Sequence, residues 1–276
     1  MEREKRIYPV GRNKIRAVNI CLLAFAALIV LNGLISKNAG NGFAVETIPQ
    51  ATKVPLNDAF DETMTETVLE IPGQSWFALQ VGVFESEESA QEASSVFQKR
   101  GAAGYLWQDG RFRVLAAAYP NREDAQIVRE QIRDSHGIES YLYTITFPTL
   151  RLKLTGMQGQ IEILQAAFAH ADDLAKQIQN LSIRMDRQEI SVPEAKEEIS
   201  ALNTQMQLVT LRLQQRFQAP MPSAVQALIE CFQNYELFSQ TVEGNESAAA
   251  LGMKLKYQLF ETLKHIQKTT HTLNHT

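Results

Sequence analysis

The sequence predicts an α+β protein in three parts: an apolar N-terminal span, a βαββαβ unit and a C-terminal all-α helical bundle. Three observations carry this. Residues 17–35 hold no charged side chain. The stretch FALQVGVFESEESAQ (Phe77–Gln91) recurs 35 positions later as FRVLAAAYPNREDAQ (Phe112–Gln126), with Phe77 on Phe112, Phe84 on Tyr119, Ala90 on Ala125 and Gln91 on Gln126. From Arg151 onward, apolar residues step by three and four.

The apolar run AVNICLLAFAALIVLNGLI fills 19 positions, roughly 28 Å as a helix, close to the hydrocarbon thickness of a bilayer. Six basic residues precede it (Arg3, Lys5, Arg6, Arg12, Lys14, Arg16) against Glu2 and Glu4, and only Lys37 follows closely. The positive-inside bias assigns 1–16 as a cytoplasmic basic segment and 17–35 as a transmembrane helix, with the C-terminal bulk extracytoplasmic. A cleaved signal peptide with Gly42-Phe43-Ala44 as its site is the competing reading, and either way the bulk is exported. Residues 36–73, acidic and rich in Thr, Asn and Pro, read as a flexible linker, or near Val68–Pro72 as an ordered extension of the next domain.

In the first copy Phe77, Leu79, Val81 and Val83 alternate with Trp76, Ala78, Gln80 and Gly82, which is a strand with the first set facing a core. Ser86 then caps a helix with the stripe Ala90, Ala93, Val96 and Phe97. The second copy repeats this: RFRVLAAAY is a strand, Asn121 a cap, and Ala125, Val128 and Ile132 the stripe, with Gly137 as the stop. Between the copies, GYLWQDGRF gives two strands joined at Asp109-Gly110, and GIESYLYTI gives the last strand. The expectation for 74–146 is a four-stranded antiparallel sheet with both helices on one face, the split ferredoxin-like arrangement.

LQVGVF, an Ala six residues after the Phe, a Gly-aromatic-Arg-Val strand and a second aromatic-x5-Ala resemble the SPOR domain. Gln80, Gly82 and Phe84 stand where that family has them. Ala116-Ala117-Ala118-Tyr119 replaces its usual Val-Gly-Pro-Phe-like run. The resemblance implies binding to bacterial peptidoglycan, preferably glycan strands stripped of stem peptides, with a role in division or sporulation. It also implies a contribution from Gln80, and a family aromatic at the place of Phe112 makes that residue a further candidate.

Alternation places Trp76, Gln80, Tyr105, Trp107, Arg113, Tyr141 and Tyr143, with Arg111 beside them, on the face away from the two helices. Leu106, Val114 and Leu142 point to the core. Flat rings suit sugar faces, and the amide and guanidinium suit hydroxyls, N-acetyl carbonyls and carboxylates. The alternative is that Tyr105, Trp107, Tyr141 and Tyr143 are ordinary strand residues, or are covered by the C-terminal region.

Within 150–272 four helices are expected. Their stripes are Ile161 to Met185; Ile199, Leu202, Met206, Val209 and Leu213; Val225, Leu228, Phe232 and Leu237; and Leu251, Leu255, Leu259, Leu263 and Ile266. Ser191-Val-Pro-Glu194 has the form of a capping box. These stripes suggest a bundle core, with a protein partner or self-association as the remaining use.

The net charge of −4 leaves no nucleic-acid footprint. Cys21 and Cys231 are far apart, and the five histidines are scattered, so neither a metal site nor a cofactor is expected. The combined reading is a non-catalytic, membrane-anchored peptidoglycan binder. A wall hydrolase targeted by this domain and an RNA-recognition-like binder are the alternatives. Against the first stands the lack of a nucleophile or zinc constellation, and against the second the lack of the RNA-binding strand motif.

Overall fold

The doubled unit folds as four strands and two helices. The computed structural model describes residues 63–242 and 244–274. The expected basic segment, the apolar span and the linker up to residue 62 lie outside the described residues. Among the described residues no helix is long and apolar enough to cross a membrane.

Strands β2 (Gln74–Phe84), β3 (Tyr105–Gln108), β4 (Phe112–Tyr119) and β5 (Tyr141–Phe147) form an antiparallel sheet in the order β3-β4-β2-β5. Helix α1 (Glu87–Gln98) starts at Ser86, whose hydroxyl accepts from the Ser89 N–H. Helix α2 (Arg122–His136) ends at Gly137, whose left-handed backbone (φ 63°) suits a residue without Cβ. Asn121 precedes α2 without a side-chain cap, and its amide donates instead to Asp124. Both helices pack on one face of the sheet over Leu79, Ala116 and Tyr119, α2 contributing Ala125, Val128 and Ile132, with Phe77, Val81 and Leu142 around them.

Val83 departs from its expected inward parity and is 37% exposed. The ladder explains this. Between Ala78 and Gln80, β4 carries an extra residue, and between Gln80 and Gly82, β2 carries one. These compensating bulges turn the end of β2, so Val83 pairs with Arg113 and Phe84 with Phe112.

Two strands were not expected. β1 (Met64–Ile71) lies inside the stretch read as linker, and β6 (Leu150–Met157) inside the stretch read as helical. They pair antiparallel from Met64↔Met157 to Ile71↔Leu150. Thr65, Thr67, Leu69 and Ile71 form the half-buried side of β1, while Met64, Glu66, Val68 and Glu70 are exposed. Where the chain crosses from ribbon to sheet, two turns meet. The Gly73 N–H donates to Thr149 Oγ1, and a Cβ on Gly73 would come within 2.9 Å of the Phe147 carbonyl.

Helices α3 (Gln158–Asp186), α4 (Val192–Arg216), α5 (Ser223–Thr241) and α6 (Ala248–Asn274) follow. The Ser191–Glu194 capping box is formed. Ser247 Oγ accepts the Ala250 N–H at the start of α6. The stripes meet in one core, with Leu174, Ile178, Leu213, Val225, Leu251, Leu255 and Leu263 almost wholly buried. Leu237 is the exception at 62% exposed, because Tyr235 and Phe238 turn inward in its place.

The bundle does not stand apart. Its core runs without a break into Trp76, Ala78, Tyr105, Trp107, Leu115, Ile145 and Phe147 of the sheet. The sheet is therefore the middle layer, with α1 and α2 on one side and the bundle on the other.

Candidate functional site

Trp76, Gln80, Tyr105, Trp107, Arg113, Tyr141 and Tyr143 do share one face of the sheet, but that face is not open. Trp76, Tyr105 and Trp107 are 1%, 2% and 5% exposed. On α6, Phe260 stacks on the Tyr105 ring with centroids 5.2 Å apart, and Tyr257 meets it edge-on at 4.9 Å. Burial, with the Glu261 carboxylate beside it, pushes the Tyr105 phenol far above its usual range. The expectation that these three rings bind a ligand on an uncovered sheet is corrected: the helical layer uses them as core.

Magnitudes decide whether this layer is a lid. Three large rings at about 150–250 Å² each correspond to roughly 11–19 kcal/mol of apolar burial. The helical layer covers only part of that area, yet losing even a share of it weighs heavily against a net domain stability of about 5–15 kcal/mol, so the layer acts as core.

The other end of the same face stays accessible and has its own organisation. Gln80 sits between the β4 bulge and the β2 bulge, paired to Leu115 on one side and Tyr141 on the other. Arg113 on β4 reaches over β2, its Nη1 donating to Gln80 Oε1 at 2.7 Å. Its guanidinium carbon lies 4.8 Å from the centre of the Tyr143 ring. Asp109, in the β3–β4 turn, accepts from Arg113 Nε at 2.9 and 2.8 Å, and its Oδ2 accepts from the Tyr143 hydroxyl at 2.8 Å. Gly110 (φ 85°) lets that turn close tightly enough to aim Asp109 back over the sheet.

The result is an arch of four side chains from three strands and one turn, with Arg113 and Asp109 about a quarter exposed (23% and 29%). Burial first, then the hydrogen bond to Asp109 and its charge, holds the Tyr143 phenol above its ordinary value. Trp107 backs Tyr143 with ring centroids 6.4 Å apart. Tyr141, 61% exposed, extends the arch along β5. Arg111 is exposed in the turn, and Phe112 is half-buried on the helix side with the parity of Val114, outside the arch.

Residues 73–144 match the SPOR domain family. The match takes in β2 through most of β5, 72 of the 276 residues, and so includes the whole arch. Neither the search of curated proteins nor that of solved structures returned a match. In the SPOR segment, the departing run Ala116-Ala117-Ala118 is the site of the β4 bulge beside Gln80.

Asp109 was missed as a site residue. Its Asp-Gly signature reads as a turn, and nothing local shows that the turn folds back onto Arg113 and Tyr143. A cavity of about 430 Å³ lies away from the arch, at the two ribbon-to-sheet turns, lined by Ile71, Phe147, Phe168, Leu228, Cys231 and Ile266.

Proposed function

We propose that this protein binds peptidoglycan glycan strands through the accessible end of its SPOR sheet, and that it does so without catalysis. The family match at 73–144 carries this reading. The arch supports it: sugars are held by donors beside exposed ring faces, and Gln80, Arg113, Tyr141 and Tyr143 supply both. Glycan stripped of stem peptides fits better, because a strip flanked by a helical layer has less room for branches than a bare sheet.

The apolar run 17–35 and the basic segment before it support anchoring in the cell membrane with residues 63–274 outside. Anchored so, the binding strip would face the wall, where division or sporulation exposes bare glycan. The helical layer has a double part: it completes the sheet's core, and its exposed Leu208, Leu211 and Leu237 favour contact with a protein partner or a second copy.

Co-sedimentation of the full chain in mild detergent with isolated sacculi tests the reading. Binding that rises after amidase treatment of the sacculi, and falls in Gln80→Ala, is expected. Equal failure on treated and untreated sacculi would overturn it.

A further inference from the structure

A guanidinium on a sugar-binding strip invites an obvious assignment, a salt bridge to a carboxylate of the wall polymer. The arch argues otherwise. Both carboxylate oxygens of Asp109 already receive Arg113 Nε, so the positive charge has its counter-charge 2.8 Å away. The same carboxylate accepts the Tyr143 hydroxyl, which keeps the phenol neutral and in place. Gln80 is uncharged, and its Oε1 is taken by Arg113 Nη1. One positive and one negative charge thus cancel within the arch.

The hydrogen-bond pattern also fixes what is offered outward. With Oε1 engaged by Arg113, the hydrogens on Nε2 are what Gln80 has to offer a ligand. A guanidinium has five N–H donors. Nε and one on Nη1 are committed to Asp109 and Gln80, which leaves the remaining Nη hydrogens. Neutral-ligand donors beside the exposed Tyr141 ring suit an amide carbonyl, a hydroxyl and the apolar face of a sugar ring. An incoming carboxylate gains little from a guanidinium already paired, and meets Asp109 at close range with the same sign.

We propose that Asp109 is the specificity-determining residue of this site, seating an uncharged N-acetylhexosamine of the strand at the arch in preference to its carboxylate-bearing neighbour. In a glycan strand the read unit is then N-acetylglucosamine, rather than a muramic acid with its lactyl carboxylate. The inference rests on the glycan-binding reading above and adds which sugar is read and by what.

The experiment compares two probes on the full chain in detergent. One is chitotetraose, made only of N-acetylglucosamine. The other is an N-acetylglucosamine–N-acetylmuramic acid tetrasaccharide with free lactyl carboxylates. The wild-type chain is expected to favour chitotetraose, with affinity changing less than about twofold between 50 and 500 mM salt, since paired charges leave little to screen. Asp109→Asn keeps a good turn pair, Asn-Gly, in place. It leaves the Arg113 charge unmatched, so chitotetraose binding weakens a few-fold while muramyl binding gains about tenfold and becomes salt-dependent. Asp109→Glu restores the wild-type order of preference.

A purely structural role for Asp109 predicts equal loss for both probes and no new salt dependence, and that result would overturn the proposal. So would a wild-type preference for the muramyl probe that collapses with salt, while sacculus binding persists. Absence of binding to either probe and to sacculi would remove the glycan reading itself, and this inference with it.

Discussion

Two ends of one sheet face carry the same kinds of residue and meet opposite fates. At one end Trp76, Tyr105 and Trp107 are buried in the continuous core of the helical bundle, Tyr105 directly under α6. At the other, Tyr141, Tyr143, Gln80 and Arg113 stay at the surface, tied together by Asp109. The difference is what each ring finds above it. Tyr105 finds Phe260 and Tyr257 of α6, whereas Tyr143 finds the guanidinium of Arg113 and no helix. Aromatic residues alternating on a strand therefore mark a face that needs covering, and whether the cover is a ligand or the protein's own helix is decided elsewhere in the chain.

The largest effect separating the two ends should come from truncating Tyr105. Tyr105→Ala is expected to destabilise by about 3–5 kcal/mol, seen as a lowered thermal midpoint for the sheet and helical layers together. A drop confined to the helices would mean that the layers do not share a core.

Next in size, Tyr105 and Phe260 should couple. A double-mutant cycle to Leu at both positions should return about 0.5–1.5 kcal/mol beyond the separate losses, and strict additivity would break the stacking argument. At the accessible end, Tyr141→Ala should change stability by no more than about 0.5 kcal/mol and yet reduce sacculus binding. Loss of stability without loss of binding there would reverse the assignment of the two ends.

Alkaline titration gives a further separation. The phenols of Tyr105 and Tyr143 are both raised in the folded protein. Their contribution is complete below the ordinary phenol value of about 10 and declines as pH rises beyond it. Chemical denaturation should therefore show stability falling above about pH 10, with Tyr105→Phe flattening the decline more than Tyr143→Phe. The smallest effect is expected on the ribbon, where the exposed pair Lys153–Glu66 should be worth under about 1 kcal/mol in a double-mutant cycle.

Much of this was legible locally. The 35-residue repeat announced two strand–helix units, Gly137 and the Ser191–Glu194 box marked helix ends, and period-two alternation put seven site candidates on one face. The misses share a cause, which is distance along the chain. β1 becomes a strand because β6, some eighty residues later, supplies its ladder, and its polar alternation resembles a linker until then. The burial of Tyr105 depends on Phe260, 155 positions away. Val83 and Leu237 were misplaced for a nearer reason: paired bulges reset the strand's parity, and the larger Tyr235 and Phe238 took the inward stripe of α5.

The β1–β6 ribbon also has a mechanical meaning. β1 is the first described strand, and its far end runs straight into β2, the strand that carries Gln80. A pull on Met64 along the axis of β1 would work against a β6 held at its opposite, Leu150 end by the short connection to β5. All eight registered pairs from Met64↔Met157 to Ile71↔Leu150 then share the load in shear, instead of parting one after another as in unzipping. A pull applied at Met64 would be borne by the ribbon before it reached the strand that carries Gln80.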